Sequence, residues 1–194
     1  MEMQGNRVLA VTQQQAWDAL NDPEVLKASI PGSDKVERTG ENQYAVGVAV
    51  RVGPVAARFA GRITITDMEP PNSYTITFDG QGGAAGFGKG SAEVALSPAK
   101  QNGGCELAYA VKAQVGGKIA QLGQRLIDSV AKSMAEDFFK RFDAELQRRY
   151  PGAYAARAAE VAPEPAPTTA RVPSWAWLAL AIAVIIAAAT WLLR

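Results

Sequence analysis

Between Tyr44 and Val115 the chain alternates apolar and polar positions with a period of two. Tyr44, Val46, Val48, Val50 and Val52 share one face of a first run. In the second run Val55, Ala57, Phe59, Ile63 and Ile65 point one way, and Arg58, Arg62, Thr64 and Thr66 the other. Tyr74, Ile76 and Phe78 continue the rhythm against Thr75 and Thr77, followed by Ala92, Val94 and Leu96, and then by Leu107, Tyr109, Val111 and Val115. Alternation with one polar face predicts an antiparallel sheet covered on one side only. Gly53-Pro54, Pro70-Pro71-Asn72 and Asn102-Gly103-Gly104 supply the turns between runs.

The period then changes. From Val115 to Leu146 the apolar residues Ile119, Leu122, Leu126, Val130, Met134 and Phe138 recur every three or four positions, which predicts one long amphipathic helix. Asp128, Lys132, Glu136 and Asp143 lie on its wet face. Successive i+4 steps drift by roughly 40° each, so the apolar stripe winds about half a turn between Leu126 and Leu146. Gly116 and Gly117 precede the helix where a strand turns into it, and Gly123 leaves a gap beside Leu122 and Leu126. That gap either permits close packing or shapes a ligand cavity.

Ahead of the sheet, Glu2 to Val11 reads as a first strand. Thr12 and Gln15 form a capping box, so Gln13 to Leu20 is a short helix. Asp22-Pro23 starts a second helix running to about Ala28, ended by Ile30-Pro31-Gly32. The predicted order is a strand, two short helices, about six strands and one long helix. This α+β arrangement, a curved antiparallel sheet wrapped around a long C-terminal helix, is the helix-grip architecture. Its two layers join at one edge and leave room between them.

The C-terminal end follows a third pattern. Trp175 to Leu193 is nineteen residues without a charge. At helical rise it spans about 28 Å, enough to cross a hydrocarbon core. Trp175, Trp177 and Trp191 stand at its ends as interfacial anchors. Arg148, Arg149, Arg157 and Arg171 precede it and only Arg194 follows, which orients the large N-terminal part toward the cytoplasm. The expected organisation is a domain over 1–150, an alanine- and proline-rich linker over 151–173 that reaches about 70 Å when extended, and a single-pass anchor over 174–194. No signal peptide precedes the first strand in this reading.

Composition removes several chemistries. The chain has no histidine and one cysteine, Cys105. Histidine-dependent triads and zinc sites, and disulfides within the chain, are therefore excluded. No calcium-loop pattern of carboxylates occurs, so no metal site is expected. Lys and Arg number 20 against 19 Asp and Glu, without a basic stripe, so nucleic acid is not an expected partner. Gly83 to Gly90 imitates a phosphate-binding loop but has Gly90 where a magnesium-binding hydroxyl belongs and a strand after it where a helix belongs. Phe87 is the single aromatic in this glycine-rich stretch. The stretch reads either as a plain hairpin connection or as a mobile flap with Phe87 as a lid or partner contact.

Six short stretches stand out: Asn21-Asp22-Pro23-Glu24-Val25-Leu26, Ile30-Pro31-Gly32, Gly53-Pro54-Val55, Pro70-Pro71 with Tyr74, Ala85 to Gly90, and Val115 to Gly123. Taken together they resemble the CoxG family of carbon monoxide dehydrogenase subunits. The resemblance covers about Met1 to Arg149. It implies the START-like, polyketide-cyclase-like helix-grip superfamily and a role as an accessory subunit, not an enzyme. It further implies association with a molybdenum hydroxylase of the carbon monoxide dehydrogenase type, attachment to the cytoplasmic membrane, and binding of a lipophile such as a quinone (menaquinone or ubiquinone). No covalent cofactor and no catalytic residue carry over. Cysteines commonly flank Ile-Pro-Gly in the family; here Ser29 and Ser33 stand there, so a redox role at those positions is not supported.

A buried cavity would suit such a ligand. The candidate lining residues are Phe59, Phe78, Phe87, Tyr109, Ile119, Leu122, Gly123 and Leu126, with Tyr44, Tyr74, Tyr109 and Gln121 as polar contacts. Two classes of function follow: a membrane-anchored adaptor that recruits the oxidoreductase and carries quinone, or an enzyme with cyclase- or hydrolase-like chemistry. The lack of histidine weighs against the second. A pure membrane tether and a general lipid-binding protein remain as further alternatives.

Overall fold

The computed structural model describes residues 1–99 and 104–161. Seven antiparallel strands form one sheet in the order β1-β7-β6-β5-β4-β3-β2. The strands are β1 (Glu2–Leu9), β2 (Ser33–Gly40), β3 (Gln43–Val52), β4 (Val55–Glu69), β5 (Ser73–Gln81), β6 (Phe87–Pro98) and β7 (Cys105–Gly116). Two short helices, α1 (Gln13–Leu20) and α2 (Pro23–Ser29), link β1 to β2, and the long α3 (Gln124–Arg149) follows β7. The α+β helix-grip arrangement read from the periodicity is thus present.

The short helices begin where their caps dictate. Thr12 accepts from the Gln15 backbone N–H, and the Gln15 side chain accepts from the Thr12 N–H, so both free amide groups of this turn are satisfied. The Asp22 carboxylate accepts from the backbone N–H groups of Glu24 and Val25, with Pro23 at the first helical position. Hairpin register also follows the alternation. Val52 pairs with Val55 across Gly53-Pro54, and one inward row runs from Tyr74 to Val94 to Tyr109 to Gly5 across four strands.

Edge strand β2 escapes the alternation pattern. Its sequence SDKVERTG places only Val36 in the core, as suits a strand whose outer edge is protected by charge.

The long helix is shorter at its start than the three-and-four spacing predicts. Val115 and Gly116 still belong to β7, Ala120–Leu122 form a single 3₁₀ turn, and α3 starts only at Gln124. Gly123 ends the 3₁₀ turn with φ of +93°, a backbone geometry that disfavours any side chain. A Cβ there would meet nothing within 4 Å. It is a junction in open space, not a packing gap on a buried helix face. Of the expected stripe, Leu126 is 37% exposed. Full burial comes later, at Phe142 and Leu146, which are 0% exposed. Each such side chain contributes about 3–5 kcal/mol by the usual cost of its truncation to alanine.

The expected linker also starts later. Pro151–Val161 forms a helix, α4, separated from α3 only by Tyr150. Five alanines between 153 and 159 favour helix, and no proline interrupts before Pro163. Tyr150, Ala153 and Tyr154 pack against the main core, so this stretch belongs to the domain. The remainder of the linker and the expected span lie outside the described residues. Among the described residues no helix is long and apolar enough to cross a membrane.

Candidate functional site

Two apolar clusters fill the space between sheet and helices. The larger one gathers Leu9, Val11, Trp17, Leu20, Val25, Val36, Tyr44 and their neighbours with Phe142 and Leu146 from α3. The smaller one joins Val52, Ala85, Ile119 and Ile127 with Phe59, Leu122 and Val130 packed around them. It occupies the end where the β3–β4 hairpin, the Gly83–Ala85 turn and the 3₁₀ turn before α3 converge.

A cavity of about 190 Å³ lies within the larger cluster. Its floor is sheet (Val46, Ile65, Ile76, Val94, Leu107), and Phe138 and Phe139 of α3 cover it. All fifteen lining residues are aliphatic or aromatic, and the polar side-chain atoms among them are the hydroxyls of Tyr44, Tyr74 and Tyr109. None carries a carboxylate, amine or thiol. Placing a charge there would cost several kcal/mol of desolvation with no partner to offset it, so the cavity selects neutral, largely apolar molecules.

The three tyrosines are held differently. The Tyr44 hydroxyl donates to the carbonyl of Asn21, the residue that ends α1, at 3.4 Å. Tyr74 packs edge-on against Trp17, with ring centroids 5.4 Å apart. Burial, with Tyr44 close by, raises the Tyr74 phenol well above its ordinary pKa, so it stays protonated. Tyr109 closes the side toward β1. Its ring crosses Gly5, where a Cβ would come within 2.6 Å of the hydroxyl oxygen. Phe139 lies 5.2 Å from the Tyr109 ring, and the Arg7 guanidinium sits 5.5 Å from the centre of Phe139, a cation–π contact.

Of the eight candidate lining residues, the structure brings only Tyr109 to this cavity. Phe59, Ile119 and Leu122 belong to the smaller cluster. Phe78 lies under Gly90 beside an open surface groove. Phe87 is 38% exposed and its ring lies over Gly116. Gly123 and Leu126 stand at the exposed start of α3. The polar candidates fare better: Tyr44, Tyr74 and Tyr109 all line the cavity, whereas Gln121 is exposed.

A wider concavity of about 780 Å³ lies outside the core and is open to solvent. Asp67, Glu69 and Glu93 are on its rim, and among the described residues no cluster of metal-ligating side chains forms. Ser29 presents a different anomaly. It is fully buried at the end of α2, and its Oγ has no hydrogen-bond partner. Ser33, on the other side of Ile30-Pro31-Gly32, donates to the Lys35 carbonyl at 3.4 Å.

Comparison with known proteins bears on this geometry. The family model for CoxG, a subunit of carbon monoxide dehydrogenase, matches residues 5–147, from within β1 to near the end of α3. The chain belongs to the CoxG family. Among solved structures, a conserved protein from Geobacillus kaustophilus is 32% identical, with a TM-score of 0.72, over 76% of this chain and 96% of that one. The aromatase/cyclase Zhui from Streptomyces sp. R1128 has 16% identity and a TM-score of 0.53, over 77% and 94% of the two chains. A protein from Rhizobium leguminosarum has 14% identity and a TM-score of 0.58, over 76% and 95%. These last two share the fold of this chain. Among curated proteins, none matches the chain.

Proposed function

We propose that this CoxG-family domain is a lipophile-binding accessory module that carries quinone between the cytoplasmic membrane and a molybdenum hydroxylase of the carbon monoxide dehydrogenase type. The observation that carries this reading is the cavity under Phe138 and Phe139, whose only side-chain polar atoms are three tyrosine hydroxyls. A quinone has this pattern in reverse: a flat apolar ring with carbonyl acceptors that a phenol can serve. Tyr44 already donates to Asn21, whereas Tyr74 and Tyr109 donate to no protein acceptor among the described residues, and Tyr74 is the more deeply buried of these two. At about 190 Å³ the cavity is smaller than the roughly 300–1,000 Å³ typical of drug-sized ligands. It therefore suits one ring system, with an isoprenoid tail running outside it or displacing Phe138 and Phe139.

The family name supports this choice of partner, and the uncharged run from Trp175 to Leu193 supports a membrane attachment. The accessory role is favoured over catalysis because the cavity lining offers no carboxylate, amine or thiol to move a proton near neutral pH. Native mass spectrometry of the full chain, extracted from membranes in detergent, tests the proposal. A quinone retained at one per chain, and lost on Tyr74→Phe substitution, is the expected result. An empty cavity would leave the protein a tether. Phospholipid in place of quinone would make it a general lipid carrier.

A further inference from the structure

Three loops meet at the end of the domain beside the smaller apolar cluster. The β3–β4 hairpin tip reaches the start of α3, where a Cβ on Gly53 would stand 3.3 Å from Leu126 Cδ2. The Gly83–Ala85 turn is tied to the segment after β7 by the Ile119 N–H, which donates to the Ala85 carbonyl at 3.0 Å. Phe87 lies over Gly116 in the same place.

The residues these loops expose have a consistent character. Leu126 and Phe87, at 37% and 38%, are two of the three large apolar side chains classed as exposed among the described residues. The third, Val8, pairs with Glu106 at the opposite end of the strands. Segments 51–55, 82–88 and 116–126 carry Arg51, Lys118 and Arg125 and not one Asp or Glu, in a chain with 20 Lys and Arg against 19 Asp and Glu in all. All three cations are exposed, and none forms an ion pair with a described residue.

We infer that this loop end is a docking surface for anionic lipid headgroups, with Leu126 and Phe87 entering the interface between Arg51, Lys118 and Arg125. Apolar tips set among unpaired cations match a negatively charged bilayer, which attracts each basic side chain and accepts each apolar one. A bilayer is favoured over a protein partner because the same chain carries the uncharged Trp175–Leu193 run. The inference deepens the proposed function by naming the surface through which the domain meets the lipid.

The test uses the full chain reconstituted into nanodiscs. Cys105 is fully buried, so a spin label directed to Leu126→Cys reports that site alone, and Val8→Cys is the control at the far end. On discs rich in phosphatidylglycerol, the 126 label becomes accessible to oxygen and shielded from a water-soluble nickel chelate, while the label at position 8 stays in water. On phosphatidylcholine discs both labels stay in water. Reversing the charges (Arg51→Glu, Lys118→Glu, Arg125→Glu) weakens docking by at least about fivefold per residue, more than roughly a hundredfold together. Raising salt from 0.1 to 1 M has the same direction of effect, because the screening length falls from about 10 to 3 Å.

A 126 label that remains in water on both discs overturns the inference. If the charge reversal then slows quinone reduction by the dehydrogenase, the face belongs to that protein instead. Quinone retention by the reversal variant in detergent is measured in parallel. Loss of retention there would point to the cavity reading, and normal retention isolates the docking surface.

Discussion

The Tyr154 phenol donates to the Asp143 carboxylate at 2.5 Å and approaches its backbone carbonyl at 3.1 Å, clasping α4 to α3 eleven residues back along the chain. Burial and the adjoining carboxylate both push the Tyr154 pKa well above its ordinary value. The clasp makes the first eleven residues after Tyr150 part of the folded unit.

Tyr154→Phe should therefore lower unfolding free energy by about 1 kcal/mol, the lower range for a half-exposed hydrogen bond to a charged acceptor. Urea denaturation of the full chain in detergent reads it. If Tyr154→Phe and wild type unfold at the same midpoint, α4 is no more than an extension of a tether.

Two substitutions separate the cavity from the loop end. Val46→Phe puts a ring into the cavity beside Ile63 and should abolish quinone retention at an overpacking cost of about 1–3 kcal/mol. Gly123→Leu should leave retention intact. It costs about 1–3 kcal/mol of backbone strain at φ of +93° and ψ of +145°, and its side chain enters open space. Retention measured on both variants decides. Loss with Gly123→Leu alone would move the site to the start of α3.

Ser29→Ala should stabilise the domain by about 1 kcal/mol, since it removes a buried hydroxyl with no partner. Thermal unfolding is the measurement. A fall in melting temperature would mean that the hydroxyl is satisfied in solution, for instance by water.

Asp22 sets an acid limit. Burial alone would raise its pKa, but the hydrogen bond and charge of Arg149, with the Glu24 and Val25 backbone amides, outweigh it and hold the carboxyl below its usual value. A depressed pKa contributes stability that is complete above the unfolded value, near 3.8, and is lost as pH falls through the folded one. Arg149→Met should shrink this acid-induced loss. The ion pair, at 2.7 Å, joins the cap of α2 to the end of α3. Unfolding free energy compared at pH 6 and pH 3 for wild type and variant checks it; equal losses would exclude Asp22 as the titrating group.

Secondary structure is readable in the sequence wherever one force dominates. Capping chemistry marks α1 and α2 to within a residue, and alternation marks the five apolar strands. Strand β2 carries one core residue and so no periodic signal. The α3 boundary is misplaced by spacing alone, because Ile119, Leu122 and Leu126 continue the helical rhythm through a strand end and a 3₁₀ turn. Gly116, Gly117 and Gly123 are the better markers. That boundary error carries most site candidates to the wrong end. The cavity lies under the helix's second half, where Phe138 and Phe139 are adjacent and blur the stripe. The tyrosines are legible because a phenol on an inward strand position is conspicuous; their convergence depends on register across the five strands from β3 to β7, which single-run periodicity does not encode.

Gly5 gives that register an evolutionary edge. It touches no ligand in the proposed scheme and lies on the outermost strand, yet Tyr109 can lean across β1 only because position 5 has no side chain. A single-nucleotide change from a glycine to an alanine codon would press on the phenol and reshape the cavity wall behind it. Under the proposed function, cargo preference in descendants of this protein can thus drift through a residue that does not itself line the cavity.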